Sequence, residues 1–396
     1  MPLVWSDGTA AGWPHSSPPD APLQTIFGDI ALWRDAVAAK VQVHLAGCVP
    51  EKARSEGGRA SGARPSRPGV MMARLGIGLI GVGAHGHRYA RHIARDLPSL
   101  RLVALARRNL ELARRQAGEF GCRAYGDYRE LIAAPDVEAI VVVVPPTLHA
   151  DIIHAAAAAR RPVLLEKPAA PDLTVGRQML HTVRAANIPV MVAQTLRYNS
   201  VVRLLMEQRS RVGRIHAMRF SQHFEPSRPS WIDDPAVAGG GVTLHTGVHN
   251  FDLARLLSGL EAERVSCEMS SVLTARTEDN FSAVIRFRGA VVASVNGSRA
   301  TASRCGSIEL TGQHGQLTAD HVCNTVHVIH GSVVAELPVP PAVPTVREVL
   351  RDFATALRRG RAMPISLEEG LRAVAIVEAC YRAAQGGQAV AVPPLL

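Results

Sequence analysis

The chain has 396 residues, 47% of them hydrophobic, and a formal charge of +10 from 44 Lys+Arg against 34 Asp+Glu. That length and apolar share exclude a mini-domain and a chain disordered throughout, and they fit two domains with sizeable cores. The arginines are scattered and aromatics are only 4%, so the charge is not the basic run with stacking rings of a nucleic-acid binder.

Residues 1–72 are rich in Pro, Gly, Ser and Ala and hold one weak helical stretch over 29–45. They read as a disordered extension, or as the result of a start placed upstream of Met71-Met72. There is no secretory signal pattern and no run of about 18 apolar residues, so neither export nor a membrane span is expected. The six cysteines form no C-x-x-C pair and read as reduced thiols of a cytoplasmic protein.

From residue 73 strands and helices alternate. Strands are expected over 75–80, 102–106, 139–144, 163–165 and 190–193, and helices over 85–96, 110–120, 148–159 and 173–186. Continuous apolar strands in this rhythm predict a Rossmann-type, doubly wound parallel sheet over 73–195, covered on both faces. After a helix over 200–208 the pattern changes to longer alternating strands, at 214–224, 262–273, 281–287, 291–297, 307–317 and 322–329. These predict an α+β domain over 196–396 with an open, mainly antiparallel sheet. Two closing helices, 347–359 and 367–384, can pack back on the first domain.

Gly81-Val82-Gly83-Ala84-His85-Gly86 follows the first strand and opens a helix. Such glycines let a backbone approach a pyrophosphate, and the helix N-terminus supplies amide donors. Gly81, Gly83, Ala84, His85 and Gly86 are therefore cofactor candidates. The second strand ends in Arg107-Arg108, where an NAD-binding sheet carries an acid. A guanidinium fork there suits a 2′-phosphate, so NADP is expected, with NAD possible; the alternative is a pair of solvated helix-start residues.

Pro145-Pro146 ends the strand over 139–144 at the ligand edge of the sheet. Pro146 is a cofactor candidate. His149 is either a cofactor contact or a helix-start polar residue. Glu166-Lys167-Pro168 ends the strand over 163–165, with Glu166 able to pair with Lys167 or the cofactor. Only Lys40, Lys52 and Lys167 are lysines among the 44 cations, so Lys167 is the one lysine after the extension. A site that keeps lysine in an arginine-biased chain needs an amine that can lose its proton.

Gln194 is placed at the cofactor, and Arg197, Tyr198 and Asn199, at the junction of the two domains, at the substrate. The glycine run Gly239-Gly240-Gly241 leads to His245 and His249, four apart, with Asp252 placed to orient His249. Histidines suit acid–base work near neutral pH. Their spacing also matches zinc ligands, but no glutamate completes H-E-x-x-H and Gly247 interrupts the helix, so no metal is expected.

Over about residues 74–392 these motifs, in this order, resemble the glucose–fructose oxidoreductase/inositol dehydrogenase/MocA (Gfo/Idh/MocA) family. The resemblance implies hydride transfer between a nicotinamide and a hydroxyl or carbonyl carbon of a sugar, inositol or related polyol. It implies a homo-oligomer, dimer or tetramer, built on the free sheet face. It makes Lys167, before a proline often cis, and His249, the acid/base, the catalytic pair, with His245 at the substrate. Two positions depart from the family pattern: His245 stands where the pattern has an aspartate, and Arg107 where an acid is common. The same fold also hosts cofactor-binding regulators and redox-neutral sugar-modifying enzymes with tightly bound cofactor.

Overall fold

In the computed structural model residues 73–226 and 229–395 are described. The extension expected over 1–72, its helix and the Met71-Met72 start lie outside the described residues.

The first layer runs β1 (Leu75–Ile80), α1 (Ala84–Arg91, continued by a π turn to Asp96), β2 (Leu100–Ala106), α2 (Leu110–Phe120), β3 (Arg123–Tyr125), α3 (Tyr128–Ala133), β4 (Ala139–Val142), α4 (His149–Ala158), β5 (Val163–Glu166), α5 (Leu173–Ala186) and β6 (Val190–Ala193). The strands pair in the order β3-β2-β1-β4-β5-β6, every pair parallel. This is the doubly wound sheet expected, and β4, β5 and β6 are buried along their whole length, as strands covered on both faces must be. The direction of winding reverses between β1 and β4. The crevice beyond the C-terminal ends of those strands is where ligands of such sheets bind.

The second layer comprises α6 (Ser200–Gln208), β7 (Ile215–His223), α7 (Pro235–Ala238), a π turn (Thr243–Gly247) running into α8 (Val248–Ser258), β8 (Ala262–Ser270), β9 (Asn280–Phe287), β10 (Val292–Ser298), β11 (Cys305–Gly312), β12 (Gly315–Asp320), β13 (Thr325–His330) and β14 (Val333–Glu336). The helices α9 (Thr345–Arg358) and α10 (Leu367–Gly386) and a short β15 (Val390–Ala391) follow. The nine strands pair in the order β14-β13-β12-β11-β7-β10-β9-β8-β15. All pairs are antiparallel except β7 with β10. Burial alternates along β9, with Phe281, Ala283, Ile285 and Phe287 inward, so one face is packed and the other open.

Three expectations need correction. β3 and α3 were not expected: β3 has three half-exposed or exposed residues and no apolar run to reveal it. The strand expected over 307–317 is two, folded at Gln313-His314, with Gly315 at φ +149°. The strand expected from 322 starts at Thr325, after a turn in which Asn324 takes φ +59°.

Two hydrophobic cores lie on the two sheets. α9 contributes Val349, Leu350 and Phe353 to the first. α10 serves both, with Leu371 and Val374 in the first and Ala373, Ile376 and Val377 in the second. Neighbouring positions on a helix point about 100° apart, so one helix can serve two cores. The closing helices thus reach back to the first sheet.

Candidate active site

Gly81 leaves β1 at φ +90°, and a Cβ there would sit 2.1 Å from the Val143 carbonyl oxygen. A Cβ on Gly86 would sit 2.0 Å from the Gly81 oxygen. Both are glycine because backbone meets backbone. Gly83 differs: a Cβ there meets nothing within 4 Å. The fold leaves this space open, as a pyrophosphate resting on the backbone requires. Gly83 is also the N-cap of α1, which has no side-chain cap and no acid in its first turn. Its first amides, at Ala84, His85 and Gly86, lack intrahelical acceptors and carry partial positive charge. The residues present fit a dinucleotide.

Arg107 lies half-buried on this loop. Its Nη1 donates to the Val82 carbonyl at 3.3 Å, beside Gln116 Nε2 at 2.9 Å. Arg108 is exposed. Pro146 is buried in the turn after β4. His149 is fully buried, its ring nitrogens each 3.2 Å from the carbonyls of Ala169 and Val144. A neutral ring can donate to only one of these carbonyls, so it is a buried structural residue at the exit of β4; burial lowers its pKa.

Glu166, 6% exposed, accepts from Tyr89 Oη at 2.6 Å and from the Lys167 N–H at 2.9 Å, and lies 2.7 Å from His85 Nε2. Its side chain therefore pairs with His85 and Tyr89, not with the Lys167 ammonium. Burial raises its carboxyl, but His85, Lys167 and Tyr89 outweigh burial and hold it below the usual range. This carboxylate ties the first turns of α1 to the end of β5.

Lys167 follows, in a cis peptide with Pro168. Its Nζ donates to the His245 carbonyl at 2.9 Å. Burial lowers the ammonium to about 8, with Glu166 opposing and Arg299 adding to the shift. Lys167, His245 and His249 line one cavity of about 490 Å³, together with Leu196 and Thr246. The burial of His245 lowers its pKa to about 3, with Arg299 and Lys167 contributing. His249 is pushed well below its ordinary value by burial, then by Lys167. Both imidazoles are neutral at physiological pH.

Four placements differ from expectation. Asp252 does not orient His249; its two oxygens hold Arg197 Nε at 2.7 Å and Nη2 at 2.5 Å. His249 Nδ1 is buried without a hydrogen-bond partner. Arg197, so engaged and also 3.2 Å from Glu369, is an ion-pair partner and does not line the cavity. Tyr198 turns its hydroxyl to Asp352 Oδ2 at 3.0 Å, and Asn199 caps α6 by accepting from Val201 N at 2.9 Å. Neither lines the cavity, because the turn carrying them is committed to packing α6 and α9. Gln194 is 1% exposed and both its amide atoms lack partners, so it keeps unspent hydrogen-bonding capacity at the end of β6.

The cavity also contains residues that sequence reasoning missed: Gln222 at the end of β7, Arg299 just after β10, Arg304, and His321 in the turn after β12. The parallel pairing of β7 with β10, Gly297 opposite Gln222, brings two of these strand ends together. The only signal in the sequence was a polar residue at the end of an apolar strand, which is common.

A glycine cradle beside a cavity with a lysine and two neutral histidines, on a doubly wound sheet, defines a dinucleotide-dependent oxidoreductase. Residues 75–194 match the model of the Gfo/Idh/MocA oxidoreductase family with an NAD-binding Rossmann fold, and residues 205–318 match the Gfo/Idh/MocA C-terminal domain. The chain belongs to the Gfo/Idh/MocA oxidoreductase family. It is 26% identical over 313 residues to myo-inositol 2-dehydrogenase of Thermotoga maritima, covering 75% of this chain and 92% of that protein. It is 33% identical over 222 residues to levoglucosan dehydrogenase of Pseudarthrobacter phenanthrenivorans, covering 52% and 56%. A levoglucosan dehydrogenase solved with NADH and L-sorbose superposes with a TM-score of 0.76 at 25% identity, over 81% of this chain and all of that one.

Proposed function

We propose that the protein moves hydride between NADP(H) and a hydroxyl or carbonyl carbon of a sugar, inositol or related polyol. The observation that carries the reading is the convergence of Lys167 and His249 on one cavity at the end of β5, beside the glycine cradle. Relatives named as inositol and levoglucosan dehydrogenases support the substrate class.

When bound, the nicotinamide supplies the redox chemistry. Gly81, Gly83 and Gly86, with the first amides of α1, hold the pyrophosphate. Arg107, already resting on the loop, and Arg108 receive the 2′-phosphate, and among the described residues no carboxylate follows β2 until Glu111. Lys167 polarises the substrate oxygen. His249 takes or gives the hydroxyl proton. The two are coupled, because the Lys167 charge lowers the pKa of His249. His245 places its carbonyl on Lys167 and fixes where the amine points.

Exposed Val284, Val292, Val333 and Val334 on the second sheet support a homo-oligomer formed with a second copy. The five described cysteines are all free, which supports a reducing, cytoplasmic setting. Among the described residues no helix is long and apolar enough to cross a membrane.

The test is a panel of sugars, inositols and polyols with NADP⁺ and with NAD⁺, followed at 340 nm. Turnover with a preference for NADP⁺ is expected. Cofactor binding without turnover on any substrate would make the protein a sensor instead. Equal affinity for the two cofactors would remove the role of Arg107 and Arg108.

A further inference from the structure

Resting on the reading that this cavity receives the reacting substrate, its charges say what else that substrate carries. Lys167, Arg299 and Arg304 are cations, and no Asp or Glu lines the cavity. Arg304 already has a counter-ion, Glu225, at 2.8 Å on the rim. Arg299 has none. Its Nε donates to Thr246 Oγ1 at 3.1 Å and its backbone N–H to the Asp279 carbonyl at 2.8 Å.

Arg299 also lines a second cavity bordered by three acids, all engaged elsewhere: Asp233 accepts from the amides of Ala275, Arg276 and Thr277. Glu278 accepts from the amides of Gly241 and Thr243 and from Tyr381 Oη. Asp279 accepts from the amides of Val272, Leu273 and Thr274. Among the described residues no acceptor meets the two Nη groups of Arg299. Burial lowers this guanidinium to about 10 against the attraction of Glu278, so an oxyanion brought beside it is favoured. Across the cavity, buried Gln222 has an Oε1 without a partner, an acceptor for a hydroxyl.

We infer that the substrate carries an oxyanion, received bidentately by the two free Nη groups of Arg299, while its hydroxyls meet Gln222 and the Lys167–His249 pair. The class is a sugar acid or a sugar phosphate, not a neutral polyol. A planar fork suits both carboxylate and phosphate oxygens. An anion there also offsets the cations that depress His245 and His249, so substrate binding itself makes His249 a better proton acceptor.

The test uses the full chain saturated with NADP⁺. Hexuronates, aldonates and hexose 6-phosphates of the gluco, galacto and manno series are titrated calorimetrically beside their neutral sugars and myo-inositol, and turnover is read at 340 nm. At least one acid or phosphate should bind about 10- to 100-fold tighter than its neutral counterpart, the range of a charge-assisted contact. The ratio should collapse in Arg299→Gln and fall part of the way in Arg299→Lys, which keeps the charge but loses the planar fork. Carboxylates outranking phosphates, or the reverse, identifies the oxyanion.

If neutral sugars bind and turn over as well as every anion, the inference falls and the polyol oxidoreductase reading stands. If anions bind in an Arg299-dependent way but nothing turns over, that reading falls and the inference stands. A preference that survives Arg299→Gln, or no binding by any anion, overturns the inference. Should Arg299→Gln fail to fold, the wild-type ratio and Arg299→Lys decide the question.

Discussion

The Nζ of Lys167 donates to the backbone carbonyl of His245 at 2.9 Å, so the end of the first sheet's fifth strand is bonded to the π turn that opens α8. This single contact aims the amine into the cavity and keeps it beside His249. It also puts the cation close enough to add to the burial that keeps both imidazoles neutral.

The Lys167–His249 pair predicts a pH dependence set by the ammonium. Lys167 is lowered to about 8 and polarises the substrate oxygen while charged, whereas His249 is already neutral well below that. With His249 ready to take the hydroxyl proton, kcat/KM for oxidation should be level below about pH 8 and fall as Lys167 loses its charge. A pH profile of oxidation checks this, and a kcat/KM that rises through about pH 8 would make Lys167 the base instead.

Asp252 and Arg197 form a buried bidentate pair, with Asp252 1% exposed. Asp252→Ala leaves the guanidinium with Glu369 alone. Unfolding by urea should show a loss of about 3–5 kcal/mol, the usual cost of breaking a buried pair. A small stability change with a displaced pH profile would instead restore Asp252 as the partner of His249.

The two glycines at the start of the cradle should separate folding from binding. Gly83→Ala adds a methyl into open space and should leave the melting temperature within about 2 °C while weakening cofactor binding about tenfold or more. Gly81→Ala meets the Val143 oxygen at a positive φ and should destabilise the fold by more than about 1 kcal/mol. Fluorescence titration and thermal melts measure both.

Arg107→Ala should weaken NADP⁺ binding about tenfold and leave NAD⁺ binding within about threefold, since one charge-assisted contact to the 2′-phosphate is lost. A matched loss for both cofactors would mean that Arg107 matters only through its bond to the Val82 carbonyl.

Much of this was readable along the chain. The parallel sheet announces itself because strands buried on both faces are continuous apolar runs, and the cradle because its glycines fall between a strand and a helix. Lys167 was conspicuous by composition. What lay beyond reach depends on contacts between distant segments. Arg197 and Asp252 are 55 positions apart, and each resembles a site residue by type; only their pairing removes them from the site. His149 sits where a ligand contact would, yet its ring spans two carbonyls. Arg299 and Gln222 reach the same cavity through the register of β7 on β10, which alternation does not specify.

The most direct test of the account is the turnover of Lys167→Arg beside wild type, on the best substrate of the panel, with cofactor affinity measured in parallel. Arginine keeps the charge but cannot exchange a proton and is bulkier. The account predicts a kcat lower by about 100-fold or more with cofactor binding little changed. Near-normal turnover in Lys167→Arg would contradict it.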